Sequence, residues 1–302
     1  MTRVGMVILN WNRPADTIEC LASIQTLSLK KCMLSVIVVD NASTDDSVSK
    51  IQSYKSQVKI IKNRENLGFA GGNNVGIKYA LKLGMDYVMV LNNDTLLASN
   101  IVDQFLASAN RNPDFGILSP KIYFKAGNEF HKDRYKTSEL GKVIWYAGGA
   151  IDWDNVYAGN IGVDEVDRGQ FAEVREVDFA TGTCMFIRAS ALRKIGGFDE
   201  KYFMYFEDVD LSLRMKNSGW RVLFDPEAVL WHKVAQSSGI GSDLNDYFIT
   251  RNRLVFGMRY ASRRTKIALM RESIRHFLRG RDGQRKGVRD FYMQRLGKGS
   301  WL

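Results

Sequence analysis

Five short stretches of this chain carry residues whose types and spacing could do chemistry. Asp40-Asn41-Ala-Ser43-Thr-Asp45 follows an apolar run. A carboxylate there can accept the imide N–H of a uracil or thymine ring, and the same residues can form an Asx-turn capping the next helix. Asn66-Leu-Gly-Phe69-Ala70-Gly71-Gly-Asn73-Asn74-Val-Gly76 is rich in glycine. Glycines let backbone pass close to a ligand, and a helix N-terminus favours a phosphate; a tight loop needing positive φ is the alternative. The stretch lacks the Lys-Ser/Thr of a P-loop and the spacing of the dinucleotide fingerprint. Leu91-Asn92-Asn93-Asp94-Thr95 offers one acid that can hold a hard divalent ion bridging a diphosphate, because such ions take many of their ligands from phosphate and water. Asp94 could instead serve as an N-cap. Phe203-Met-Tyr-Phe-Glu207-Asp208-Val-Asp210 places three acids within four residues after an aromatic run. Ionising all of them is costly, so one can be kept poised as a general base; acids favoured at a helix N-terminus are the competing account. His232 follows Asp208 by 24 residues and stands alone, as either a ligand or a packed histidine.

The elements that must position these residues alternate. Val4–Leu9, Leu34–Val39, Val58–Ile61 and Tyr87–Leu91 are short apolar runs expected as buried strands. Between them fall helical spacing at Ile18, Leu21 and Ile24, a helix over Ser43–Tyr54 with Ser43 or Thr44 as N-cap, and a helix over Asn73–Leu83. This alternation predicts an α/β fold with a parallel sheet and crossover helices. Ligands in such sheets gather beyond the carboxyl ends of the strands, where Asn10, Asp40 and Asp94 fall. Between 120 and 180 the pattern loosens into Gly-rich, aromatic pieces such as Trp145–Trp153. A strand over Val177–Arg188 and a helix over Asp208–Ser218 follow. Residues 245–280 read as helical, with Ile267, Met270, Ile274, Phe277 and Leu278 along one stripe.

Composition narrows the class. With 302 residues, 45% hydrophobic and 25% charged, the chain has ample material for a core. No run of 18 uncharged apolar residues predicts a membrane span, and the N-terminus reads as a first strand rather than a signal peptide. Cys20, Cys32 and Cys184 form neither a C-x-x-C pair nor an even set, which points away from disulfides and zinc and toward a reducing cytoplasm. Residues 251–302 carry 15 basic and 3 acidic side chains, whereas 1–250 carry 28 and 30. The excess positive charge therefore belongs to the tail, which suits nucleic acid, anionic lipid or a phosphorylated substrate.

Taken in order, these stretches resemble family 2 glycosyltransferases, specifically a bacterial rhamnosyltransferase-like branch, over 4–256. Asn10-Trp-Asn12, Thr181-Gly-Thr-Cys-Met-Phe-Ile-Arg188 and Tyr247-x-x-x-Arg251-Asn252 complete the match. The resemblance implies a GT-A fold, a Rossmann-like, mostly parallel sheet flanked by helices, with a C-terminal helical extension. It divides the chain into a nucleotide-sugar half (1–95), an acceptor and catalytic half (96–240) and a basic extension (241–302). Asp40 would recognise the pyrimidine, with Asn10, Asn12, Arg13, Asn41 and Ser43 around the nucleotide. Phe69, Ala70, Gly71, Asn73, Asn74, Asn92 and Asn93 would complete that binding site. Asp94 would hold Mg²⁺ or Mn²⁺ with His232 as second ligand, and Asp208 would be the catalytic base with Glu207 beside it. Asn92 departs from the family by replacing the first acid of its Asp-x-Asp motif, which makes it a donor contact rather than a ligand.

The implied reaction is inverting transfer of a sugar, rhamnose favoured, from a dTDP- or UDP-sugar to a saccharide or polyprenyl-diphosphate-linked acceptor in cell-surface polysaccharide synthesis. A nucleotidyltransferase of related fold is the competing enzyme, but it should carry basic residues in the phosphate loop, and 66–76 has none. A nucleic-acid binder using the tail lacks any recognised module, so no nucleic acid is expected. The tail is instead expected to place a cytoplasmic enzyme at an anionic membrane surface through 260–290, or to pair two copies as a homodimer.

Overall fold

The computed structural model describes residues 1–54, 58–234 and 242–301. Strands Thr2–Asn10 (β1), Cys32–Asp40 (β2), Lys59–Lys62 (β3) and Tyr87–Asn92 (β4) pair in parallel in the order β4-β1-β2-β3. Helices Pro14–Gln25 (α1), Ser47–Tyr54 (α2) and Gly68–Lys82 (α3) connect them. Register aligns their carboxyl ends, with Asn10 opposite Asp40 and Leu9 opposite Asn92.

The second half extends the same sheet. After Thr95–Leu97 (β5) and Ile101–Arg111 (α4) come Phe115–Phe124 (β6), Ile144–Tyr146 (β7) and the hairpin Gly149–Asp152 (β8) with Tyr157–Asn160 (β9). Arg175–Glu176 (β10), Cys184–Arg188 (β11), Ala189–Ile195 (α5), Glu207–Asn217 (α6) and Arg221–His232 (β12) follow. Strand β11 inserts antiparallel between β4 and β6, giving the order β10-β12-β6-β11-β4-β1-β2-β3. Strand β5 pairs with the end of β12, placing Thr95 opposite His232. This sheet and its helices enclose the main apolar core. Three helices, Asp243–Tyr260 (α7), Arg263–Arg279 (α8) and Asp282–Tyr292 (α9), form the C-terminal extension, and α7 helps enclose a second core with Tyr202, Phe206 and Val156. No helix among the described residues is long and apolar enough to cross a membrane. The three cysteines are buried free thiols.

Several expected boundaries shift for physical reasons. Helix α2 starts at Ser47, not Ser43, because the Ser43 amide and hydroxyl both donate to Asp40 (3.1 and 2.6 Å) while Asp45 accepts from the Ser47 amide (3.0 Å). Helix α3 starts five residues before Asn73 and absorbs the glycine-rich stretch. Those glycines let it lie close on the sheet: a Cβ at Gly72 would meet Leu9 at 2.5 Å and one at Gly76 would meet Val7 at 2.3 Å. Only Gly68 within 66–76 has a positive φ, +70°. The strand expected from Val177 is confined to Cys184–Arg188. The helix expected over 245–280 breaks at Ala261-Ser262, where Ser262 accepts from the Thr265 amide and caps α8.

Candidate functional site

At the carboxyl ends of β1, β2 and β4, one chain of hydrogen bonds joins the predicted residues. Asn10 is fully buried and donates to Asp40 Oδ1 (2.9 Å). Its own Oδ1 accepts from the Thr17 hydroxyl (2.7 Å), which in turn accepts from Asn93 (2.9 Å). Asp40 thus receives three internal hydrogen bonds, two on Oδ1 and one on Oδ2. The Asx-turn is real, yet Oδ2 keeps lone-pair capacity for one further donor. Asn12 adopts a left-handed φ of 51° and accepts from the Thr44 amide, and the half-exposed Arg13 faces Asp16 at 3.7 Å.

Other predicted contacts turn inward. The Asn41 amide bridges Asn63, Asn66, Leu67 and Gly68, using both donors and its oxygen. Asn74 ties α3 to Phe198 and Glu200. Ala70, Gly71 and Asn73 are buried in the first turns of α3, and Asn73 donates to Phe69 O. Of this stretch, Phe69 alone lines the large cavity described next.

That cavity, of ≈ 430 Å³, brings Asn92, Asp94, His232, Glu207 and Asp208 together. The turn after β4 presents Asp94, and the end of β12 presents His232. The hydrogen bond from the Lys233 amide to Asp94 O (2.9 Å) holds the two segments in register. His232 Nε2 lies 3.2 Å from Asp94 Oδ1, and the Trp145 ring meets the imidazole edge-on at 4.6 Å. Two adjacent ligands of an octahedral ion, each at about 2.1 Å, stand about 3.0 Å apart. The observed separation therefore fits a single Mg²⁺ or Mn²⁺ held by both side chains. No group of three or more His, Cys, Asp or Glu that could hold a metal occurs among the described residues, so donor oxygens and water would have to fill the remaining positions.

Glu207 and Asp208 open α6 across the same cavity. Asp208 Oδ2 accepts from the Gly182 amide (2.8 Å) and Oδ1 from the Val209 amide (2.9 Å). Glycine at 182 lets the Phe69 ring lie close, since an added Cβ would stand 2.9 Å from it. Burial pushes the Asp208 carboxyl above its ordinary value, and the two amides pull it partly back. Burial, with the Asp208 carboxylate beside it, pushes Glu207 well above the usual range. Asp210, the third acid, is fully buried and bound to Arg214 (2.6 Å), Tyr260 (2.8 Å) and Arg259 (3.1 Å). It is a structural anchor.

Folding therefore tightens proton binding at Glu207. Native stability should fall as pH rises from the unfolded-state value, about 4.3, toward the raised folded-state value, because the native state then holds more protons than the unfolded state. Glu207→Gln removes this dependence. Its Tm relative to the native sequence should rise steadily with pH above about 4.3. A difference that stayed flat across pH in thermal melts would mean that Glu207 folds already ionised.

The loop delivering these acids is strained and clamped from α7. Phe203, Tyr205 and Phe206 have φ of 66°, 66° and 71°, conformations costing about 1 kcal/mol or more each for residues with a Cβ. The Asn252 amide donates to the carbonyls of Tyr202, Met204 and Tyr205 (2.9, 2.7 and 2.8 Å). Arg251, fully buried, donates to Tyr202 O (3.0 Å) and to Asn252 Oδ1. The Arg251-Asn252 pair had a place in the sequence pattern but no assigned role, since its partners are backbone carbonyls some 50 residues away. Asn252→Ala should lower stability by about 2–4 kcal/mol, the cost of several carbonyls left unpaired, measured by urea unfolding. A loss under about 0.5 kcal/mol, the level of an ordinary surface change, would remove Asn252 as the clamp. Trp145, Phe179 and Asn160 also line the cavity. They lie in the irregular 120–180 region, where periodicity carried no positional signal.

Comparison with known proteins places this geometry. The family model described as glycosyltransferase like family 2 matches residues 2–257. The chain is 29% identical over 251 residues, 79% of each protein, to N-acetylglucosaminyl-diphospho-decaprenol L-rhamnosyltransferase of Mycobacterium tuberculosis. It is 25% identical to the low-salt glycan biosynthesis hexosyltransferase Agl10 of Haloferax volcanii, over 70% of this chain and 61% of that protein. Among solved structures it resembles the mannosyltransferase PcManGT of Pyrobaculum calidifontis in complex with GDP-Man and Mn²⁺, with a TM-score of 0.57, 17% identity, and coverage of 97% of this chain and 74% of that one. It also resembles GalNAc-T7 with UDP, GalNAc and Mn²⁺, with a TM-score of 0.61, 15% identity, and coverage of 97% and 56%. The fold is the GT-A fold.

Proposed function

Because the chain belongs to the glycosyltransferase like family 2, we propose that it transfers a sugar from a pyrimidine nucleotide-sugar to a hydroxyl of a saccharide acceptor with inversion at the anomeric carbon. The observation that carries this reading is the meeting of Asp94, His232 and Asp208 in one cavity. Asp40, Asn10, Asn12, Arg13 and Ser43 bind the nucleotide end, where Asp40 Oδ2 can accept the imide N–H of the base. Asn92 lines the cavity itself, and Asn93 joins the nucleotide end through its hydrogen bond to the Thr17 hydroxyl. Asp94 and His232 would hold a divalent ion, which would supply neutralising charge for the departing nucleoside diphosphate.

Asp208 accepts the proton of the attacking hydroxyl at its carboxylate. The raised proton affinity of this group strengthens it as a base, and its two backbone hydrogen bonds fix its direction. Glu207, whose proton affinity burial and the neighbouring Asp208 charge raise, can offer a proton rather than compete as a second base. Among the described residues the cavity holds no acid besides Asp94, Glu207 and Asp208, and a single base favours one displacement, by analogy with the one-step route of glycosidases.

Rhamnose from dTDP-rhamnose is the favoured donor sugar, because the Mycobacterium relative's name is that of a rhamnosyltransferase. The same name supports a polyprenyl-diphosphate-linked saccharide as acceptor, and the name of a Staphylococcus aureus relative, poly-beta-1,6-N-acetyl-D-glucosamine synthase, supports a place in polysaccharide synthesis. A lipid-linked acceptor requires the cavity to reach a membrane, so peripheral attachment is part of the proposal. The test is incubation with dTDP- and UDP-sugars, Mn²⁺ or Mg²⁺, and a lipid-linked saccharide. Release of nucleoside diphosphate with an inverted product is expected; release of a nucleoside triphosphate in the presence of pyrophosphate would assign nucleotidyl transfer instead.

A further inference from the structure

Helix α8 is built the wrong way round for a helix that only packs on its own protein. Its inward face is small and partly polar, made by Thr265, Leu269 and Ser273. Leu269 settles against Gly257 of α7, where an added Cβ would lie 2.3 Å from its methyl group. The stripe Ile267, Met270, Ile274, Phe277 and Leu278 points outward, with Ile274, Phe277 and Leu278 exposed by 57%, 51% and 68%. At about 100° per residue, these five side chains span roughly a quarter of the helix circumference. Arg264, Arg271, Arg275 and Arg279 continue the outer surface beside them and are all exposed.

We propose that this face of α8 docks on the surface of an anionic phospholipid bilayer, with its apolar stripe in the acyl boundary and its arginines at the headgroups. Charge selects this occupant over a second copy of the chain. A two-fold pairing of two α8 helices would bring arginine rows of like sign together. The one acid on α8, Glu272, is already bound to Arg253 (2.8 Å) and has no surplus charge for such a pair. Anionic lipid satisfies both the apolar arc and its basic border.

The position of α8 gives the docking a consequence for the site. Arg253 bonds both Glu272 of α8 and the Asn155 carbonyl in the β8–β9 turn. Strand β9 supplies Ala158 and Asn160 to the cavity wall. The same hairpin exposes Tyr157 and Trp153, rings of the type that settle at headgroup level. The inference rests on the proposed lipid-linked acceptor only for its purpose; the surface itself is independent of it.

The experiment is sedimentation of the full chain with vesicles of phosphatidylcholine alone or mixed with phosphatidylglycerol. Needing neither donor nor acceptor, it can fail or succeed separately from the transferase assay. The native sequence should pellet with the anionic vesicles and not the neutral ones. The pair Phe277→Ser and Leu278→Ser, and separately Arg271→Glu with Arg275→Glu, should each weaken partitioning at least tenfold. Unchanged melting temperatures would show that these variants are folded. Native protein left in the supernatant, or variants that bind as it does, would overturn the proposal. So would sedimentation velocity showing a native dimer that the Phe277/Leu278 variant converts to monomer, because the stripe would then belong to a second copy.

Discussion

Asp208→Asn is expected to lower kcat by about 10²–10⁴-fold, the range for loss of a positioned general base, while the affinity for the nucleotide-sugar stays within about threefold. The substitution keeps the volume and removes the proton acceptor. Asn retains one oxygen for the Gly182 or Val209 amide but cannot serve both, so a stability loss of about 1 kcal/mol accompanies it. That is too little to unfold the chain. The pH profile gives an independent readout. Burial raises the proton affinity of Asp208, so activity should disappear as pH falls through a value above the ordinary carboxylate range. The acid limb should be absent from the residual activity of the Asn variant. Transfer at more than a tenth of the native rate would shift the role to Glu207, and Glu207→Gln, expected to keep most activity, would then be the inactive one.

Much of this site was legible because it sits where chain order and sheet geometry coincide. Apolar runs ending in Asn10, Asp40 and Asn92 are parallel strands, and parallel pairing in register forces those ends to one edge. The pairing of Asp94 with His232 was suggested only by resemblance, since nothing in their spacing reveals that β5 and β12 pair antiparallel and bring them together. The sequence left the glycine-rich stretch open between a ligand loop and a tight turn, because glycine serves close packing as readily as phosphate approach. What decides is whether Val7 and Leu9 lie beneath it, which is tertiary information. Asn41 and Asn74 look like ligand amides in sequence, yet their partners in the fold occupy them. The stripe of α8 was read correctly as a stripe, but periodicity alone does not say which face turns outward.

Asp210 shows the limit from the other side. Spacing alone only weakly favoured Asp208 over Asp210 among three neighbouring acids, and the resemblance supplied the assignment of Asp208 as base. The fold separates them by partner: Asp210 faces Arg214, Arg259 and Tyr260 in the second core, Glu207 has no ion-pair partner among the described residues, and Asp208 faces backbone amides at the cavity. Asp210 is taken up by its partners away from the cavity, whereas Glu207 and Asp208 line it, which is why the proposed base is sought in that pair and not at Asp210.

Asp94→Ala should abolish the metal dependence of donor binding. In calorimetry with a nucleoside diphosphate, Mn²⁺ is expected to tighten binding to the native chain by about tenfold or more, a gain near 1.4 kcal/mol, and to leave the variant's affinity unchanged. The reasoning is one of charge and of ligand number. If the two side chains 3.2 Å apart are the proposed ligands, losing the carboxylate removes the one that carries formal charge and leaves a single imidazole. A hard ion then gains little over its hydrated state. The fold should survive, since the contact joining this turn to β12 runs from the Lys233 amide to the Asp94 backbone carbonyl, which alanine retains. Metal-free affinity should also survive, because Asp40, Asn10 and Ser43 hold one another through hydrogen bonds that do not involve the Asp94 side chain. His232→Ala should reduce the Mn²⁺ effect without erasing it, as the carboxylate remains. If Mn²⁺ strengthened binding to Asp94→Ala by the native factor, the ion would have to sit elsewhere on the chain, and the Asp94–His232 contact would be a packing interaction between the ends of two strands.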